Sequence, residues 1–256
     1  MDGQAALLLF GAGLAGGIVT AIVGGASLIT FPALLATGLP AIVANASNAV
    51  ALTPANFMGG LADLTHLPPW DRSLGGLAIV AVVGSVAGAL LLLVTPEQAF
   101  TAIIPVLIGM ATILFALSGP IRLWLAARPA GGARPGRASG GLGMLLFAPV
   151  AVYGGYFGAG MSVMLLALLS VSRADEFRAN NVLKNLLSGL TGLVAVVVFV
   201  SQGVVAWPPT LVTMAGGLAG GFLGGRLVRV LPADLVRWVV ITVGSVLTLV
   251  YAWRYW

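Results

Sequence analysis

The sequence predicts an all-α polytopic membrane protein made of two inverted repeats, each a broken-helix hairpin followed by three transmembrane helices. Three observations predict it. Of the 256 residues, 59% are hydrophobic and 7% are charged, whereas a soluble domain carries about 25% charged residues. The same order of apolar segments recurs on either side of a central arginine-bearing stretch. The arginines collect on one side of the membrane only if the opening pair of each repeat enters and leaves on one side.

In chain order, Ala5–Val23 is apolar and roughly 28 Å long as a helix, and it stops at Gly24-Gly25. Ser27–Thr37, roughly 16 Å, covers about half of the ~30 Å hydrocarbon core before Gly38-Leu39-Pro40 breaks it. Val43–Leu61 is a spanning segment interrupted by Asn45, Ser47, Asn48, Thr53 and Asn56. A polar loop holding His66 follows, then two spans, Ser73–Val94 and Ala99–Leu117. Residues 1–117 form the first repeat. Residues 118–141, with Arg122, Arg128, Arg134 and Arg137 among Gly, Pro and Ala, read as a cytoplasmic linker. Residues 142–256 begin the pattern again: Leu142–Tyr156, a break at Gly158-Ala159-Gly160, the short Met161–Ser172, a charged turn, then spans at Ala179–Val200, Leu211–Val230 and Ala233–Trp253.

The duplication is visible residue by residue. Gly25 and Gly160, Ser27 and Ser162, and Asn45 and Asn180 are each 135 positions apart. Parallel repeats of four full crossings would leave Arg173, Arg178, Arg226, Arg229 and Arg237 outside. With hairpins that do not cross, the repeats are inverted, and ten of the eleven arginines fall inside. Ala5–Val23 is nevertheless long enough to span alone. The repeats are expected to rock or slide against one another.

Lys184 is the only lysine in the chain. It lies eight residues beyond Glu176, roughly 12 Å deep if helical. With Asn181, Ser188 and Thr191 it forms one helical face, flanked by Asn180 and Asn185. A cation at that depth must face protein or water. One reading makes it the charge partner of an anionic substrate; the other makes it a snorkelling or structural lysine. The equivalent helix carries Asn45 and Asn48, with Ala49 in place of Lys184 and Leu183 in place of Asn48. These amides can donate to an oxyanion or bond between helices. The breaks at Gly25 and Gly160 start helices whose free N–H groups suit an anion, with Ser27 and Ser162 placed to cap or to bind. Those glycines also fit as packing contacts.

Other classes fare worse. Cysteine is absent, which excludes disulfide and thiol chemistry. The net charge of +5 comes from topology-setting arginines and points to no nucleic acid. Gly25-Ala26-Ser27 and Gly160-Met161-Ser162 superficially match an intramembrane serine protease, but the nucleophile needs an adjacent base, and the single histidine, His66, lies in a loop. No enzyme activity, cofactor or metal is expected.

The Gly16–Leu52 stretch, with its Gly24-Gly25 break, Pro32, Gly38, Pro40 and the polar Ala44–Asn48 helix start, resembles the sulfite exporter TauE/SafE family of membrane permeases. The Gly154–Gly189 stretch fits as its counterpart. The resemblance implies a bacterial inner-membrane permease that exports a small sulfur-containing anion such as sulfite, sulfoacetate or another organosulfonate, and rocking of the repeats would give it alternating access at a central site. Its partners are that substrate and the lipid bilayer. A passive anion channel or a non-transporting membrane accessory protein are the alternatives.

Overall fold

The computed structural model describes residues 1–22, 25–61, 72–126, 141–172, 177–227 and 233–256. The loop with His66, most of the linker, and the turns at 173–176 and 228–232 lie outside the described residues. Among the described residues there are ten helices and no strand: α1 (Gly3–Ile22), α2 (Ser27–Ala36), α3 (Ala41–Leu61), α4 (Arg72–Val94), α5 (Glu97–Ala126), α6 (Gly141–Tyr156), α7 (Met161–Ser172), α8 (Phe177–Ser201), α9 (Trp207–Leu227) and α10 (Ala233–Tyr255). The protein is all-α, as its composition requires.

Five helices, α1, α4, α5, α8 and α10, are long and apolar enough to cross a membrane. α1 is among them although it opens a hairpin. α3 and α9, at 21 residues each, match the bilayer in length, but asparagines in one and glycines in the other lower their hydropathy. Ile79, Val83, Val197 and Leu249 face outward, more than 60% exposed, a surface that suits lipid.

Helices that correspond in the two repeats take corresponding neighbours. α1 packs along α9, and α6 along α4; α2 bridges α1 and α3 as α7 bridges α6 and α8. Each bundle therefore holds three helices of one repeat and the fourth helix of the other. Glycine makes this exchange possible. A β-carbon on Gly13 or Gly17 would overlap the carbonyl oxygens of Thr213 or Gly217, and one on Gly88 would overlap that of Val152. Close backbone approach through small residues is how membrane helices gain packing energy without a hydrophobic drive. Motion of one whole repeat against the other would have to pull these seams apart.

The central pairs join the bundles: α3 against α8 and α5 against α10. α5 and α10 run antiparallel. The Trp256 indole, at the end of α10, donates to the Ala102 carbonyl near the start of α5 (2.9 Å), while Arg237, near the start of α10, reaches Ala116 farther along α5. α3 and α8 are likewise antiparallel. The Ala206 N–H, just past α8, donates to Ser47 Oγ near the start of α3 (3.0 Å), and Gly192 lies on Thr53 midway along both helices.

α5 continues to Ala126, into the stretch read from its composition as linker, and Pro120 lies inside the helix. A mid-helix proline removes one helical hydrogen bond, here the one to the Ala116 carbonyl. The Arg237 guanidinium supplies the missing donor, and Gly119 leaves room for it.

Candidate functional site

The two hairpin tips turn on glycines. Gly25 and Gly160 have φ of 94° and 81°, a region that residues with a β-carbon rarely occupy. Both tips abut the same stretch of α5: Gly25 lies on the Phe115 ring, and Gly160 on Ala111 and Leu114. Between them is a cavity of about 630 Å³. Gly25, Ser27, Gly160 and Ser162 line it from the tips, and Asn181, Lys184 and Asn185 from α8. Ala111, Phe115 and Ser118 of α5 and Gly217 and Gly221 of α9 complete the wall. Lys184 is buried, with 7% of its surface exposed.

A second cavity of about 70 Å³ adjoins it. Asn45, Asn48 and Thr53 of α3 and Ser188 of α8 line it, and Ser27 and Ser162 line both cavities. The polar residues read as one site thus divide into two spaces that meet at the two serines. Asn180 is buried and lines neither. Thr191 turns to packing: its hydroxyl bonds the Leu187 carbonyl, and its own carbonyl accepts from Ser85 of α4 (2.6 Å).

The hydrogen bonds fix most of these polar groups. The Asn45 amide donates to the Tyr156 carbonyl across the repeats (2.9 Å). The Asn48 amide donates to Ser27 Oγ (3.3 Å) and accepts from Thr30 Oγ1 (2.5 Å). Ser162 Oγ lies 3.3 Å from Ser188 Oγ. The N-cap of α2 is Ala26, which offers no side-chain cap. Tyr153 braces the second tip by donating to the Ala159 carbonyl (2.6 Å).

The larger cavity extends toward the ends of α5 and α9, where Ser118, Ile121 and Phe222 line it. The Arg226 guanidinium sits 4.3 Å from the centre of the Phe222 ring, placing a cation next to one of the lining residues. On the other side of the tips the packing is aromatic. Phe31 meets Phe157 edge-on at 5.3 Å, and Phe100 meets Tyr156 at 5.8 Å. Glu97 of α5 accepts from the Ala41 and Ile42 N–H groups and so caps α3 from a neighbouring helix. Sequence reading passed over Thr30, Phe115 and Ser118, because nothing local distinguishes them from other residues of apolar helices.

The model of the sulfite exporter TauE/SafE family matches residues 9–251. The chain belongs to that family. It is a family of membrane transporters, so the protein is a multi-pass membrane transporter working on a small substrate across a lipid bilayer. Relatives carry matching names. A "probable membrane transporter protein" of Haemophilus influenzae is 29% identical, over 94% of this chain and 92% of the relative. The "probable membrane transporter protein YfcA" of Escherichia coli K12 is 27% identical, over 94% and 87%, and the "probable membrane transporter protein ORF9" of a Sinorhizobium species is 26% identical, over 94% and 90%. No solved structure matches the chain.

Proposed function

We propose that this TauE/SafE protein is a permease of the bacterial inner membrane that exports a small sulfur-containing anion, sulfite, sulfoacetate or another organosulfonate, by alternating access at the cavity between the hairpin tips. The observation that carries this reading is Lys184, a buried cation on the wall of a cavity that both tips and the polar face of α8 share. An ammonium buried within a membrane-spanning helix carries a desolvation cost. An anion in the same cavity offsets that cost and is itself stabilised there. Ser27, Ser162, Asn181 and Asn185 line the same wall, and such hydroxyl and amide groups suit sulfonate oxygens. Asn45, Asn48 and Ser188 serve the adjoining smaller space.

The antiparallel pairing of α3 with α8 and of α5 with α10 supports an inverted relation of the repeats, since a two-fold axis along the membrane normal would leave equivalent helices parallel. With the arginine-rich segments inside, the larger cavity opens to the cytoplasm, and the aromatic packing around Phe157 closes the outer side. Arg226, next to the lining residue Phe222, raises the local anion concentration. The moving parts are then the two mixed bundles, hinged along α3–α8 and α5–α10.

Flux of sulfite and sulfoacetate into proteoliposomes tests the reading. Saturable flux that is stimulated by the same anion on the opposite side is expected. Saturation without counter-stimulation would indicate a channel, and no flux with any sulfur anion would indicate an accessory protein.

A further inference from the structure

Ser27 stands where the two cavities meet, and the direction of its hydroxyl bond decides what it offers a ligand. As an acceptor from the protein, it keeps its own proton to donate; as a donor to the protein, it presents lone pairs and repels an anion. Its partner is the Asn48 amide, 3.3 Å away. Amide orientation is set by the surrounding network, and here Thr30 sets it. Thr30 is completely buried, and its Oγ1 lies 2.5 Å from the Asn48 oxygen. That length suits O–H···O and is too short for N–H···O, so the amide oxygen faces Thr30 and the nitrogen faces Ser27. The competing acceptor for the Thr30 proton is the Ala26 carbonyl at 3.1 Å. That carbonyl already accepts from the Ile29 and Thr30 N–H groups, which makes it, at the longer distance, the weaker acceptor for the hydroxyl. The chain of bonds therefore runs one way, from Thr30 through Asn48 to Ser27.

We propose that Thr30, acting through Asn48, holds the Ser27 hydroxyl as a hydrogen-bond donor to the transported anion and so favours anions over neutral molecules of the same shape. Thr30 is a positioning residue that never meets the ligand. The second repeat has no such relay. At the shift of 135 positions, Leu165 and Leu183 stand where Thr30 and Asn48 do; both are buried in an apolar cluster, and Ser162 faces Ser188 with either hydroxyl able to donate. One repeat thus contributes the cation, Lys184, and the other a directed hydroxyl.

The proposal rests on the permease reading, and one calorimetric series on the purified full chain separates the two. The probes are sulfite, sulfoacetate and methanesulfonate, with methanesulfonamide as the neutral control. Thr30→Val keeps the shape of the side chain and removes the hydroxyl. It should weaken the tightest-binding anion about ten-fold, the size expected for a hydrogen bond to a charged group. Thr30→Ser should bind within about two-fold of the unmodified chain, and methanesulfonamide should not discriminate among these proteins. In a Ser27→Ala background, Thr30→Val should cost nothing further, because two residues acting through one bond are not additive. Unchanged anion binding by Thr30→Val, or a full additional loss on top of Ser27→Ala, overturns the relay and leaves the permease reading standing. No saturable binding of any of the three anions by the unmodified chain overturns both.

Discussion

Arg237 of α10 donates to the Ala116 carbonyl of α5, the carbonyl that Pro120 leaves without its helical N–H. A local defect in one repeat is corrected by a side chain of the other, more than a hundred positions away. The bond ties α5 to α10 at the end nearest the linker.

Replacing Arg237 by Met should therefore destabilise the protein by about 1 kcal/mol, the low end of the cost of leaving a carbonyl unsatisfied, because this one is only part-buried. Pro120→Ala restores the helical donor and should recover most of that loss in the Arg237→Met background, yet do little by itself. Thermal unfolding in detergent of the two single variants and the double variant measures the coupling; additive effects would refute it.

Lys184→Ala should remove sulfite and sulfoacetate flux in proteoliposomes, or reduce it at least ten-fold, while elution volume and thermal stability stay near those of the unmodified protein. Retained flux would assign Lys184 a structural role.

The glycine seams predict a sharp positional contrast. Gly17→Val places a side chain against the backbone of α9 and should cost more than about 2 kcal/mol, in the range of overpacking. Gly11→Ala, six residues earlier in α1 with open space around it, should be neutral or stabilising by up to about 1 kcal/mol through helix propensity. Folded yield and melting temperature of the two variants test the exchanged packing directly.

Because the chain has no cysteine, single cysteines at Gly131, Ser172 and Val204 report orientation cleanly. An impermeant thiol reagent added outside intact cells should label only the one at Val204. Labelling at Ser172 and not at Val204 would contradict the inverted arrangement.

Much of the fold is legible in the sequence, because the signals are local. Apolar length, the glycine pairs and the shift between repeats locate the helices and the two tips, and three-and-four spacing puts Lys184 on a polar face with Asn181 and Ser188. The site is legible in part. Gly25, Ser27, Gly160, Ser162, Asn181, Lys184 and Asn185 share one cavity, but Asn45, Asn48 and Ser188 line a second, and Thr191 packs on α4. Periodicity assigns a residue to a face; it does not say which neighbour lies along each turn of that face.

Composition and local pattern alone thus determined a membrane protein of repeated, glycine-broken helices with one cation among polar residues. The tertiary structure decided which helices pair. α1 takes α9 and not α4, since backbone contact through Gly13 and Gly17 depends on a matching surface far along the chain. It also decided that α5 runs on past Pro120. Gly119-Pro120 is a stop signal wherever the freed carbonyl has no donor, and here Arg237 provides one from the other repeat.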